Sequence, residues 1–170
     1  MTPTPAGRLL GTATGRDLIL TRHFRAPIAD VWDSLTESER SARWFGPWKG
    51  ESGTGRTIQV QMSFEETQPW MDMHIDVCEP PRRLGLSAVD EWGSWVLEVT
   101  LTEDASGTEL VFTHHLTPDV DVSSVGPGWE YYLDNWVAAF DDDPLPAFDD
   151  YYPSMKPYYE ELAAASGTTE

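Results

Sequence analysis

The segment GPGWEYYLDNWVAAF, residues 126–140, decides how the rest of the chain is read. After its Gly126-Pro127-Gly128 start, Trp129, Tyr132, Leu133, Trp136, Val137 and Phe140 fall on one side of a helix. Tyr131, Asp134, Asn135 and Ala138 fall on the other. A face this aromatic has to be buried, so a broad apolar surface must receive it. Asp141-Asp142-Asp143 opposes the helix dipole, and the helix is expected to end there.

The receiving surface lies upstream. DLILTRHFR, residues 17–25, reads as a strand with Leu18, Leu20 and Phe24 on one face. Arg22 shares that face, either as a polar anchor inside a cavity or as a strand-end residue reaching solvent. Pro27 suits a first helical position. Behind it Ile28, Val31, Trp32 and Leu35 form one helical stripe. Thr36 and Glu39 have capping-box spacing, which predicts a second short helix over residues 38–45, stopped at Gly46-Pro47.

Period-two patterns follow. Ile58, Val60, Met62 and Phe64 alternate with polar residues, as do Met71, Met73, Ile75 and Val77. Leu84, Leu86 and Ala88 come after Pro80-Pro81. Trp95, Leu97, Val99 and Leu101 make a further strand, and Leu110, Phe112, His114 and Leu116 another beyond Ser106-Gly107. Strands joined by short turns are antiparallel. The predicted class is α+β, with a curved antiparallel sheet of about six to seven strands wrapped on the long C-terminal helix. Two short helices follow its first strand.

Residues 1–16 read as a flexible arm, 17–140 as the domain, and 141–170 as an acidic, aromatic extension packed on it. Leu145, Phe148, Tyr151 and Tyr152 are that extension's expected anchors, and residues 155–165 its final short helix. A chain of 170 residues suits this single unit.

The formal charge is −18, from 29 acidic and 11 basic side chains. Residues 84–170 hold 18 acids against Lys156 alone. Binding to nucleic acid or an anionic membrane is disfavoured, since both rest on Lys and Arg. The acidic half serves either solubility or the docking of a basic partner. Aromatic residues at 12 % argue against disorder. Cys78 is the only cysteine, which excludes an internal disulfide and fits a reducing compartment. With no signal-like or membrane-length apolar run, the expected location is cytoplasmic.

The order of elements resembles the helix-grip, START-like (SRPBCC) superfamily. RHFRAPIADVWDSLTESERSARWFGP (22–47), CEPPRRLGLS (78–87), GTELVFTHHL (107–116) and GWEYYLDNWVAAF (128–140) resemble the family named after the activator of Hsp90 ATPase. The resemblance spans residues 17–140. It implies a sheet gripping the last helix, and for some relatives an Hsp90-type chaperone partner.

A helix gripped by a curved sheet need not fill the space beneath it, and apolar pockets of this kind hold small molecules. Candidate ligand-lining residues are Trp44, Phe45 and Trp48 beside the short helices, with Met62, Phe64, Met73, Trp95, Leu97, Phe112 and His114 from the sheet. Trp129, Tyr132, Leu133 and Trp136 come from the helix. These residues either pack solidly or leave a cavity, since so many flat side chains interdigitate poorly. The expected ligand is lipid-like or aromatic.

Adjacent His114 and His115 point to opposite faces of a strand and cannot chelate one metal together. No metal or cofactor motif and no catalytic constellation emerges. Two alternatives stay open. One is an Hsp90-type co-chaperone. The other is a cyclase- or aromatase-like enzyme, which needs His114 or Arg22 inside the cavity.

Overall fold

A computed structural model describes residues 3–90 and 93–167. Its elements run β1 (Arg8–Gly11), β2 (Arg16–Phe24), α1 (Ile28–Thr36), α2 (Ser38–Ser41), β3 (Trp48–Lys49), β4 (Thr57–Gln61) and β5 (Trp70–Glu79). Then come β6 (Arg83–Asp90), β7 (Gly93–Asp104), β8 (Gly107–Leu116), α3 (Val122–Phe140), a short 3-10 turn at Phe148–Asp150, and α4 (Lys156–Gly167).

The strands form one antiparallel sheet in the order β1-β2-β8-β7-β6-β5-β4-β3. Its inner face is the one the alternation marks. Leu18 and Leu20 of β2 stand opposite His114 and Phe112 of β8, and Val99 of β7 stands opposite Phe112 on the other side. All five are buried, and α3 lies against this face with Leu133 and Trp136 fully enclosed. This is the expected helix-grip architecture.

Eight strands exceed the six to seven expected. One extra strand, β1, falls in the presumed flexible arm, where Arg8–Gly11 pairs with β2. The other, β3, is two residues long and pairs with β4. Neither leaves a period-two signature, because each is short and lies at a sheet edge.

Local departures have local causes. α3 starts at Val122, seven residues before Trp129, because Asp121 caps it by accepting a hydrogen bond from the Ser123 amide at 3.0 Å. Gly126-Pro127-Gly128 lies inside the helix. Gly126 is a packing site there: a Cβ would stand 2.5 Å from the Tyr159 ring. The predicted capping box does not form, since the Thr36 hydroxyl donates back to the Trp32 carbonyl, and α2 is only four residues long. β4 ends at Gln61, so Met62 and Phe64 lie in the turn that follows.

In the tail, Tyr151 is buried and Tyr152 partly so. Leu145 and Phe148, expected as anchors, are 42 % and 43 % exposed. Met155 and Tyr159 are buried instead. No described helix is long and apolar enough to cross a membrane.

Candidate functional site

A cavity of about 300 Å³ lies between α3 and the half of the sheet carrying β4 to β7. α3 contributes Trp129, Leu133 and Trp136 to its roof. The sheet supplies a floor that includes Ile58, Met73, Leu97, Val99 and Phe112. The helical corner closes one side with Trp32, Leu35, Trp44, Phe45 and Trp48. Ser52 and Pro80, both exposed, mark where the cavity meets solvent.

Nine of the fourteen residues expected at the site meet around this space: Trp44, Phe45, Trp48, Met73, Leu97, Phe112, Trp129, Leu133 and Trp136. The other five do not line it. Met62 and Phe64 follow β4, where Phe64 stands edge-on to Tyr132 at 6.4 Å. Tyr132 packs on Phe45, 4.9 Å between ring centres, and donates its hydroxyl proton to Glu65. Burial, with Glu65 beside it, pushes the Tyr132 phenol above its ordinary range. Trp95 stacks on His114 at 5.2 Å, behind Trp129.

The wall is braced because four of its five tryptophan nitrogens have a partner. Trp44 Nε1 donates to the Ser34 carbonyl at 3.1 Å, and Trp136 Nε1 to Ser34 Oγ at 2.7 Å. This brings the two indoles into a parallel stack, 4.6 Å apart and 7° from coplanar. Trp48 Nε1 donates to the Thr36 carbonyl at 2.9 Å, and Trp129 Nε1 to His114 Nδ1 at 3.0 Å. Accepting that bond requires an unprotonated Nδ1. Burial, with His115 alongside, holds His114 down at about 4, so it is neutral near pH 7.

Arg22 does not reach freely into solvent. It pairs with Glu130 and Asp134 of α3, each at 2.8 Å. Burial opposes its charge, but the two carboxylates outweigh that and raise its pKa. Glu130 is fully buried and also accepts from the Ala6 amide at 2.7 Å, the Gly7 amide at 3.2 Å and the Tyr159 hydroxyl. Tyr151 donates to Asp134 at 2.6 Å. This network lies on the β2 side of α3, away from the cavity. Neither Arg22 nor His114, the two groups the enzymatic alternative needs, lines the cavity.

Residues such as Trp32, Leu35, Ile58 and Val99 were legible as buried but not as lining. Their helical and period-two spacing gives the face a side chain occupies, not whether the space in front of it is filled. Ser52 and Pro80 lie in loops whose path no periodicity fixes.

Comparison with known proteins places these features in context. The profile of the family described as activator of Hsp90 ATPase homolog 1-like protein matches residues 25–141. CalU16 from Micromonospora echinospora superposes with a TM-score of 0.76 at 28 % identity, covering 94 % of this chain and 97 % of that one. EF2215 from Enterococcus faecalis, a conserved protein of unknown function, gives 0.75 at 17 % identity, with 94 % and 91 % covered. DynU16, from the dynemicin biosynthetic locus, gives 0.67 at 22 % identity, covering 78 % of this chain and half of that one. The last two likenesses speak to fold alone. No protein of curated function matches the sequence.

Proposed function

The chain belongs to the activator of Hsp90 ATPase homolog 1-like family, and on that premise we propose that it is a cytoplasmic binding protein for a lipid-like or aromatic small molecule. The observation that carries this reading is the cavity of about 300 Å³ under α3. Its size lies at the lower end of small-molecule sites, and its lining is dominated by aromatic and aliphatic side chains. A largely apolar lining of this kind favours an apolar occupant. The nine lining residues named above are the proposed contacts, on a binding unit of residues 17–140 braced by the tail.

The test is native mass spectrometry of freshly purified protein, followed by tryptophan fluorescence titration. Trp44, Trp129 and Trp136 face the cavity, so an occupant should change their emission. A bare protein mass together with flat titrations over fatty acids, flavonoids and polyketide-like aromatics would sink the reading.

A second reading, docking to an Hsp90-type chaperone, is favoured by one feature. The exposed Leu145 and Phe148 stand among Asp141, Asp142, Asp143, Asp149 and Asp150, a surface suited to a basic and apolar partner. It predicts that an Hsp90 ATPase is stimulated even when the cavity is filled by larger side chains. An unchanged ATPase rate removes it.

A further inference from the structure

The interior of the cavity is unequal in what it can offer a polar ligand. Among the described residues that line it, none is charged. Of the five tryptophans that line it, four, Trp44, Trp48, Trp129 and Trp136, have their Nε1 donors engaged outward, with Ser34, Thr36 and His114. Two hydroxyl residues line the inner wall, and both have placed their protons elsewhere. Ser41 Oγ donates to the Gly46 carbonyl at 2.8 Å, and Thr36 Oγ1 donates to the Trp32 carbonyl at 2.9 Å. What remains on these oxygens is lone pairs. Each can still accept a hydrogen bond, while neither can donate one without breaking a bond it has.

We infer that the cavity selects uncharged, flat ligands bearing a hydroxyl group, and rejects the same skeleton bearing a carboxylate. This rests on the small-molecule reading above and specifies its chemistry. A buried hydroxyl on the ligand finds an acceptor on Thr36 or Ser41. A buried carboxylate finds no cation, and the Thr36 and Ser41 hydroxyls and four of the five tryptophan donors are already committed, so its charge stays unneutralised out of water, which is strongly unfavourable. Such a ligand has to leave its charged end at the mouth beside Ser52, withdrawing its apolar body from the tryptophans. The net charge of −18 adds a long-range bias in the same direction.

The experiment is calorimetric titration of the full chain near neutral pH with naphthalene, 1-naphthol and 1-naphthoate, three probes of one skeleton. The expected order is naphthol at least as tight as naphthalene, and naphthoate weaker than either by about 100-fold or more. Naphthoate within about tenfold of naphthalene overturns the inference while leaving the small-molecule reading standing. Naphthol about tenfold weaker than naphthalene overturns its hydroxyl part. If none of the three binds, both readings fall. The double variant Thr36→Val, Ser41→Ala should erase the advantage of naphthol over naphthalene while naphthalene itself still binds. An undiminished advantage assigns the hydroxyl to some other group and overturns the role given to these oxygens. If the double variant does not fold, the ranking on the unaltered chain decides alone.

Discussion

α3 is flanked by two regions built from similar residues and finished in opposite ways. On the β2 side, tyrosines and a buried ion network pack against α3: Arg22, Glu130, Asp134, Tyr151 and Tyr159 are linked to one another, and the Ala6 and Gly7 amides donate to Glu130. On the β4–β7 side, tryptophans and phenylalanines stand around empty space. The difference lies in what backs the aromatic rings. Tyr159 reaches its place from a helix beyond α3 and lies against two glycines, Gly7 and Gly126, that leave room for its ring. Four of the five tryptophans of the cavity are tied by nitrogen to the wall behind them, so they are held back from collapsing inward. Rings that are bonded outward preserve a void, and rings that are bonded across a gap fill it.

The sharpest way to break this comparison is to cut the closed side. Glu130→Ala leaves Arg22 with Asp134 alone and strips the acceptor from Tyr159 and from two backbone amides. Removing one partner of such a buried set costs about 3–5 kcal/mol. Urea unfolding should show that loss, together with faster proteolysis at both chain ends. A loss below about 1 kcal/mol would mean the closed side is not what holds α3 in place.

Acid should then probe the open side through His114. Its folded pKa of about 4 lies below the ordinary 6.5, so between these values the unfolded chain takes up the proton more readily. Stability from this group is complete above pH 6.5 and falls as the pH drops, by about 3 kcal/mol at pH 4. Protonation also removes the acceptor for Trp129 Nε1, so any ligand held against Trp129 should weaken over the same range. Carboxylates titrate there too, so the measurement is the difference in urea midpoints between the protein and its His114→Phe variant. If the two curves run parallel, His114 is not buried neutral behind the wall.

How much of this contrast could be read beforehand differs between the flanks. The sheet, α1 and the inner row of α3 were legible because Leu18, Leu20, Phe112 and Trp136 repeat at the periods their elements impose. Six of the nine cavity residues, Met73, Leu97, Phe112, Trp129, Leu133 and Trp136, followed from those rows, and Trp44, Phe45 and Trp48 from the aromatic corner after the short helices. The closed side was not legible. It depends on pairings more than 100 residues apart, such as Arg22 with Glu130, and on Gly126, which read as the start of the helix and not as a packing site within it. Asp121, five residues after Leu116, the last alternating position, caps the helix well before the aromatic row that marked it in the sequence. Short-range spacing carries no information on contacts of that length. Tertiary packing decided them.

A smaller effect comes from crowding the closed side. Gly126→Ala places a Cβ 2.5 Å from the Tyr159 ring, whose hydroxyl is pinned by Glu130. Better helix propensity returns about 1 kcal/mol, but overpacking costs about 1–3 kcal/mol, so a net loss is expected. A gain in melting temperature would show that Tyr159 can yield, and that the closed side is looser than its hydrogen bonds suggest.

The smallest change in stability should come from the matching enlargement on the open side, where Leu86→Trp adds an indole to a wall that faces space. Overpacking needs a neighbour to collide with, and a cavity of about 300 Å³ supplies none nearby. Filling such space shifts stability by about 1 kcal/mol or less, as often upward as downward. Binding responds in the opposite proportion. The added ring occupies volume a ligand would take, so naphthalene affinity should fall by about tenfold or more while the fold is untouched. This pairing separates the flanks more cleanly than either change alone, because Gly126→Ala should move stability and leave binding, whereas Leu86→Trp should move binding and leave stability. Should Leu86→Trp unfold the protein instead, the open side is as tightly packed as the closed one, and the space beneath α3 is no site.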